Sequence, residues 1–334
     1  MDAERSHIAA LNGLKFLHRL HFNPFPNTIK DMHCNLMGLP IPNPVGLAAG
    51  LDKNGDYIDA LSALGFGFIE IGTVTPKPQE GNPKPRLFRI PQHQAVLNRM
   101  GFNNQGIDYL INNVKKAKYS GVLGINIGKN ATTPIENATD DYIYCLDRAY
   151  NFASYITINI SSPNTKNLRT LQGEDELNNL LGKLKKRQTE LSEKFEKYVP
   201  MAVKIAPDVD ENQIIAMAQA IRHHNIDGVI ATNTTIDKSS LGEHKLSNEN
   251  GGLSGRPLTE KSNTVLKLLA THLNNDEHQK TIPIIGVGGI MSGSDVAEKL
   301  NNGAQAIQLY TGLIYRGPQL VPESIIAAAQ HLKK

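Results

Sequence analysis

Only two cysteines, Cys34 and Cys145, occur in 334 residues. That is too few for a thiolate zinc or iron–sulfur site and too few for a secreted disulfide framework, so a reducing compartment is expected. No run of 18 apolar residues exists, and the N-terminus lacks an apolar core followed by a cleavage site. Neither a spanning helix nor a secretory signal is therefore read. The net charge of +3 is spread along the chain without a Lys/Arg block, which leaves no basic stripe for a duplex and no nucleic-acid partner in view. Paired carboxylates and His/Asp/Glu clusters at metal-ligand spacing are also missing, which disfavours glycosidase chemistry and metal-assisted hydrolysis. What remains, 40% hydrophobic and 20% charged residues, is an ordinary globular composition able to build a large core.

Short apolar runs recur along the chain at 44–50, 66–72, 121–128, 155–161, 200–206, 227–233, 282–289 and 304–312. Between them lie segments of helical periodicity, such as Asn212 to His224 and Thr264 to Leu273. Strand–helix alternation argues for a parallel sheet, and eight units suggest an α/β fold of the (β/α)8 TIM-barrel type, usually about 250 residues long. An open doubly wound sheet competes, but no G-x-G-x-x-G follows an early strand. The first 40 residues and the stretches at 76–100 and 238–262 are additions to eight units. The expected division is an N-terminal two-helix extension over 1–40 and a barrel over 41–334.

A barrel places its functional groups at the C-terminal strand ends. Polar residues stop the runs repeatedly: Lys53, Thr73, Asn126, Asn159 and Ser162, Lys204, then Thr232, Asn233 and Thr234. In YITINISSPNT (155–165) Ile156, Ile158 and Ile160 alternate with Thr157, Asn159 and Ser161, so the second set shares one face and ends polar. Each group has a plain alternative, since Asn and Thr serve turns and a Lys snorkels to solvent. Lys204 resists it, flanked by Ala202, Val203, Ile205 and Ala206; a charge there needs an anionic or electron-rich partner. GVGGI (286–290) before a helix, with YTG (310–312) one unit later, matches the position where barrels cradle phosphate on backbone N–H groups. An alternative chemistry for these residues is a lyase or aldolase in which Lys204 forms a Schiff base with a sugar phosphate.

The strand ends NISSPNT (159–165), AAGLDKNG (48–55), NRMGFNN (98–104), ATNTT (231–235) and GVGGI (286–290) resemble those of the dihydroorotate dehydrogenase family, in its membrane-associated, quinone-reducing class. The resemblance implies FMN as cofactor, held by Ala49, Gly50, Lys53, Thr73, Asn126, Asn159, Lys204, Thr232, Gly255, Gly289, Tyr310 and Thr311. It implies dihydroorotate as substrate, held by Lys53, the segment Asn98, Arg99, Met100, Gly101 and Phe102, and by Asn159, Asn164, Asn233 and Thr234. Ser162 becomes the proton acceptor; the soluble classes carry cysteine there.

The same resemblance makes ubiquinone or menaquinone the final acceptor and places His7, Arg89 and Tyr310 along its tunnel. On a helical projection Asn12, Lys15 and Arg19 lie within about 60° of one another, with Leu14, Phe16, Leu17 and Leu20 spread over the other side. That suits a helix lying in a membrane surface, and equally one docked on the barrel, since Ile8 and Leu11 blur the stripe. A second helix is expected at about 28–37. With no Arg-rich targeting segment at Met1, the expected setting is a monomer, peripheral on the cytoplasmic face of a bacterial cell membrane.

Overall fold

The computed structural model describes residues 2–20, 32–274 and 281–333. Eight parallel strands close into a barrel. They are β1 (Val45–Leu47), β2 (Phe68–Val74), β3 (Val122–Ile127), β4 (Tyr155–Asn159), β5 (Met201–Ile205), β6 (Gly228–Ala231), β7 (Ile284–Val287) and β8 (Ala306–Leu309). Each of the eight apolar runs contributes one strand, and β8 pairs with β1 through Ile307 and Val45 to complete the ring. The (β/α)8 architecture is thereby observed. The two helical segments read from periodicity are Glu211–His223 and Thr259–Leu273.

The pleat sorts side chains between two compartments. Ile156 and Ile158 of β4 point outward into the layer between strands and helices, while Tyr155 packs inside the barrel with Phe68, Ala202 and Ile285. Large rings inside demand small neighbours. A Cβ at Gly46 would sit 2.3 Å from the Phe68 ring, and one at Gly124 2.2 Å from the Tyr155 ring. The floor is therefore solid and the room left is toward the C-terminal strand ends.

The additions occupy both ends of the barrel. Cys34–Leu36 pairs antiparallel with Leu39–Ile41, and Leu36 and Ile41 plug the floor beneath Phe68 and Tyr155. This corrects the expected helix at 28–37: residues 21–31 lie outside the described set, and Cys34–Leu36 is a strand. A hairpin wins because Met37 (φ 53°) and Gly38 (φ 83°) form a two-residue turn whose Gly38 N–H donates to Asn35 Oδ1. At the other end Leu87–Ile90, Ala95–Asn98 and Gly252–Gly255 form a three-stranded antiparallel sheet, pairing Asn98 with Gly252. Two insertions about 150 residues apart in sequence thus build one structure over the mouth.

The helix Ala3–Arg19 docks on the barrel through polar contacts together with Leu11 and Leu14. Its N-cap Asp2 accepts from the Arg5 N–H. Glu4 accepts two bonds from the Arg86 guanidinium (2.7 and 3.1 Å), Lys15 donates to the Asp56 carbonyl (2.7 Å), and Asn12 accepts from the Tyr57 hydroxyl (2.8 Å). Leu11 is buried between them, while Phe16 and Leu20 are 62% and 61% exposed. Asn12 and Lys15 consequently bond to barrel residues, Leu11 and Leu14 pack against the core, and Phe16, Leu17 and Leu20 face out.

Candidate active site

A cavity of about 1010 Å3, open to solvent, sits at the C-terminal mouth and is lined from strand ends, the glycine turn after β7 and the small sheet. The mixed lining of backbone, amide and ammonium groups with apolar walls suits a cofactor with a small substrate. Of the expected cofactor residues, Ala49, Gly50, Lys53, Thr73, Asn159, Lys204, Thr232, Gly255, Gly289, Tyr310 and Thr311 line it. Asn126 lies one layer behind, where its Oδ1 accepts from the Thr73 hydroxyl (2.5 Å) and from Asn159 Nδ2 (3.1 Å). Of the expected substrate residues, Asn98, Met100, Gly101, Phe102, Asn164, Asn233 and Thr234 line the same space, together with Ser162. Arg99 does not. It turns outward to Glu249 (2.5 Å) and the Pro85 carbonyl, its guanidinium over the Phe88 ring, because strand alternation sends it opposite to Asn98.

Two ammonium groups dominate the electrostatics. Lys204, on β5 between Asn159 of β4 and Ile230 of β6, is 5% exposed and has no hydrogen-bond partner among the described residues. Burial lowers its pKa and the Glu70 carboxylate below works against that. Lys53 is half-buried in the cavity wall, and burial brings its pKa down to about 8, with Glu4 the largest opposing charge. A buried cation without a partner is unfavourable by itself and fits an anionic or electron-rich ligand.

The glycine turn supplies the phosphate cradle. Gly288 (φ 104°) and Gly289 (φ 76°) adopt backbone that L side chains rarely take, and a Cβ at Gly289 would meet Thr259 Oγ1 at 2.2 Å. From the helix Thr259–Leu273, Ser262 Oγ donates to the Gly288 carbonyl (3.1 Å) and Thr259 Oγ1 to the Gly289 carbonyl (3.0 Å). With both carbonyls held on the helix side, the two glycine N–H groups donate to no described residue, a ready anion site. Gln308, which also lines the cavity, keeps a buried Oε1 without a partner among the described residues. These features fit a phosphate-bearing, electron-rich ligand such as a flavin nucleotide.

Ser162 is 5% exposed at the foot of the cavity, and its Oγ accepts the Asn164 N–H at 3.2 Å. No histidine or carboxylate bonds to it among the described residues. The loop is clasped by Arg169, which donates to the Ser161 carbonyl (3.0 Å), the Thr234 carbonyl (2.8 Å) and Asp208 (2.8 Å). Asn164 Nδ2 donates to the Asn98 carbonyl and to its Oδ1, both at 3.2 Å, tying the small sheet to β4.

Among the residues expected along a quinone tunnel, Tyr310 lines the cavity, its ring 3.2 Å from where a Gly50 Cβ would stand, and burial raises its phenol to about 12. His7 reaches the Leu51 carbonyl at 3.0 Å. A carbonyl only accepts, so Nε2 carries the proton; burial and Lys53 lower the imidazole pKa. Arg89 lies exposed on Leu87–Ile90 and does not line the cavity. Residues not foreseen include Gln308, Ser254 and Leu258 in the lining, and Glu70, fully buried inside the barrel. A lone carboxylate inside FGFIEIG was the available signal for Glu70.

A glycine turn after β7, a buried lysine and an amide-rich cavity at a (β/α)8 mouth suit an enzyme that holds a phosphate-bearing ligand. Comparison with known proteins carries this further: the model of the dihydroorotate dehydrogenase family matches residues 31–332, and the chain belongs to that family. Dihydroorotate dehydrogenase (quinone) of Neisseria meningitidis serogroup A is 62% identical over 330 residues, covering 99% of this chain and 97% of that protein. The protein of the same name from Chromobacterium violaceum is 58% identical over 333 residues, with 99% and 95% covered. The crystal structure of the Eimeria tenella enzyme in complex with ferulenol superposes with a TM-score of 0.90 at 36% identity, covering 99% of this chain and 92% of that one. The quinone-dependent class is thereby supported over nearly the whole length.

Proposed function

We propose that this chain oxidises (S)-dihydroorotate to orotate, with one FMN per chain as hydride acceptor and ubiquinone or menaquinone as final acceptor, in pyrimidine biosynthesis. The observation that carries the reading is the convergence of Lys204, the Gly288–Gly289 cradle, Lys53 and Ser162 on one cavity. Bound FMN supplies the hydride-accepting ring. Lys204 would hold its electron-rich end and, as a fixed cation, favour the negative charge gained on reduction. The glycine N–H groups, Gly255 and Thr311 would hold the rest.

Lys53 would pair with the substrate carboxylate, and Asn98, Asn159, Asn164, Asn233 and Thr234 offer the donors and acceptors needed by its ring N–H and C=O groups. The Ser162 hydroxyl would take the proton from ring carbon 5 while its own proton leaves to solvent through the open cavity. A serine hydroxyl is a weak acid, so the Asn164 N–H on its oxygen assists by favouring developing negative charge there.

Electrons would leave past Tyr310, which lines the cavity, toward His7 on the N-terminal helix. The outward apolar side of Ala3–Arg19, with Phe16, Leu17 and Leu20, would rest in the membrane surface, holding a monomer peripherally on the cytoplasmic face of a bacterial membrane. No described helix is long and apolar enough to cross it. The test is optical: purified protein should absorb near ~450 nm as flavins do, bleach on adding dihydroorotate and recover with a quinone. Colourless protein, or flavin that dihydroorotate leaves oxidised, would overturn the reading.

A further inference from the structure

Glu70 is the one carboxylate inside the barrel among the described residues, and no part of the reaction as proposed uses it. It sits on β2, fully buried, below the cavity floor. Four groups donate to it: Asn126 Nδ2 to Oε1 (2.8 Å), and Tyr155 OH (2.9 Å), Thr157 Oγ1 (3.1 Å) and Gln308 Nε2 (2.9 Å) to Oε2. An ionised carboxylate accepts only, so every neighbour must present a donor to it.

That requirement propagates upward. Asn126 spends its amide N–H on Glu70, so its Oδ1 must face Thr73 and Asn159. The Thr73 hydroxyl then donates to Asn126 (2.5 Å), and Asn159 Nδ2 donates to Asn126 (3.1 Å) and to Thr73 Oγ1 (2.8 Å). With its N–H groups directed down, Asn159 has Oδ1 toward Ser161, accepting from the Ser161 N–H (3.2 Å) and hydroxyl (3.0 Å). Asn233 Nδ2 joins at Ser161 Oγ (3.0 Å). Three strand ends that line the cavity are thus oriented from a single buried anion. An amide is nearly symmetric in shape, and packing alone does not decide which end is oxygen.

We infer that Glu70 is a positioning residue: by accepting from Asn126 it fixes which ends of Thr73, Asn159 and Asn233 donate and which accept, and so holds these side chains in place in the wall that receives cofactor and substrate. This deepens the proposed function and rests on it.

The test is a double-mutant cycle on the holoenzyme with Glu70→Gln, Asn126→Asp and the pair combined. In Glu70→Gln the new amide N–H faces the Asn126 N–H, and the chain must reverse or leave donors unpaired. In Asn126→Asp two carboxylates face each other. In the combined variant the introduced glutamine keeps its oxygen toward Tyr155, Thr157 and Gln308 and donates to the introduced aspartate, which accepts from Thr73 and Asn159 as the parent asparagine does. Two readouts are taken: FMN release, followed by recovery of free-flavin fluorescence, and the first-order rate of flavin reduction at saturating dihydroorotate. Each single variant should release FMN at least tenfold faster and reduce it at least tenfold more slowly; the pair should return to within about threefold of the parent. A single variant that fails to fold while the pair folds supports the inference equally. Wild-type behaviour in Glu70→Gln, or a pair that is no better than the singles or does not fold, overturns it. Failure of the parent protein itself to bleach with dihydroorotate would instead overturn the underlying function.

Discussion

The pH dependence of substrate capture should report Lys53 directly. Burial in the cavity wall brings this lysine down to about 8 from 10.5, because desolvation penalises the ammonium and Glu4 only partly offsets it. The protonated form alone pairs with a carboxylate, and the substrate stays anionic throughout the range used. The free enzyme is therefore competent in proportion to 1/(1 + 10^(pH − pKa)), which falls about tenfold between pH 7 and pH 9 for a pKa of about 8. In the complex the carboxylate supplies the missing partner and raises the pKa again, so the loss appears in kcat/KM and not in kcat. The assay is quinone reduction over about pH 6.5–9.5, with flavin absorbance checking cofactor retention. In Lys53→Arg, charged at every pH tested, the alkaline limb should vanish even if the absolute rate is lower. A kcat/KM that stays flat to the alkaline end of that range in the parent, or an unchanged limb in Lys53→Arg, would refute the assignment. For stability the sign is opposite to a salt-bridged lysine: the unfolded chain binds the extra proton between about 8 and 10.5, so the penalty of burying Lys53 is present below pH 8 and relieved as pH rises through that window.

Ser162→Ala should keep the yellow cofactor-bound state yet slow single-turnover flavin reduction by roughly 10²–10⁴-fold; unchanged reduction would remove Ser162 from proton transfer. Replacing Phe16, Leu17 and Leu20 together by Ser should release the protein from lipid vesicles in a flotation assay while leaving reduction by dihydroorotate intact, since all three point away from the barrel; undiminished flotation would rule out this face. Gly289→Ala places a methyl against the Thr259 backbone 2.4 Å away and should yield protein with little bound FMN, measured by the flavin-to-protein absorbance ratio; full FMN content would refute the cradle.

Much of the barrel is written in the chain because its signals are local. Most strands are β-branched runs, and they end in polar residues at the one place where a closed barrel leaves room. In 155–165 the alternation of Ile156 and Ile158 with Thr157 and Asn159 already separates the helix-facing side from the interior. The GVGGI turn is legible for the same reason, since only glycine fits Gly289. Where the reading failed, a short-range pattern was ambiguous. Cys34–Leu36 is too short to show period two, and Arg99 adjoins real lining residues but alternates away from them.

The sequence by itself therefore determined the strand count, the parallel barrel and most residues at its mouth, because periodicity and strand ends are properties of a few consecutive residues. Tertiary structure alone decided what depends on distant pairings. It brought the insertions around Asn98 and Gly252 into one sheet over the site, and joined Glu4 to Arg86 across 82 residues. It turned Asn12 and Lys15 toward the barrel so that Phe16 and Leu20 face out. It also set Glu70 beneath Asn126, Thr73 and Asn159, where one buried charge orients three strand ends, a relation that no local pattern encodes.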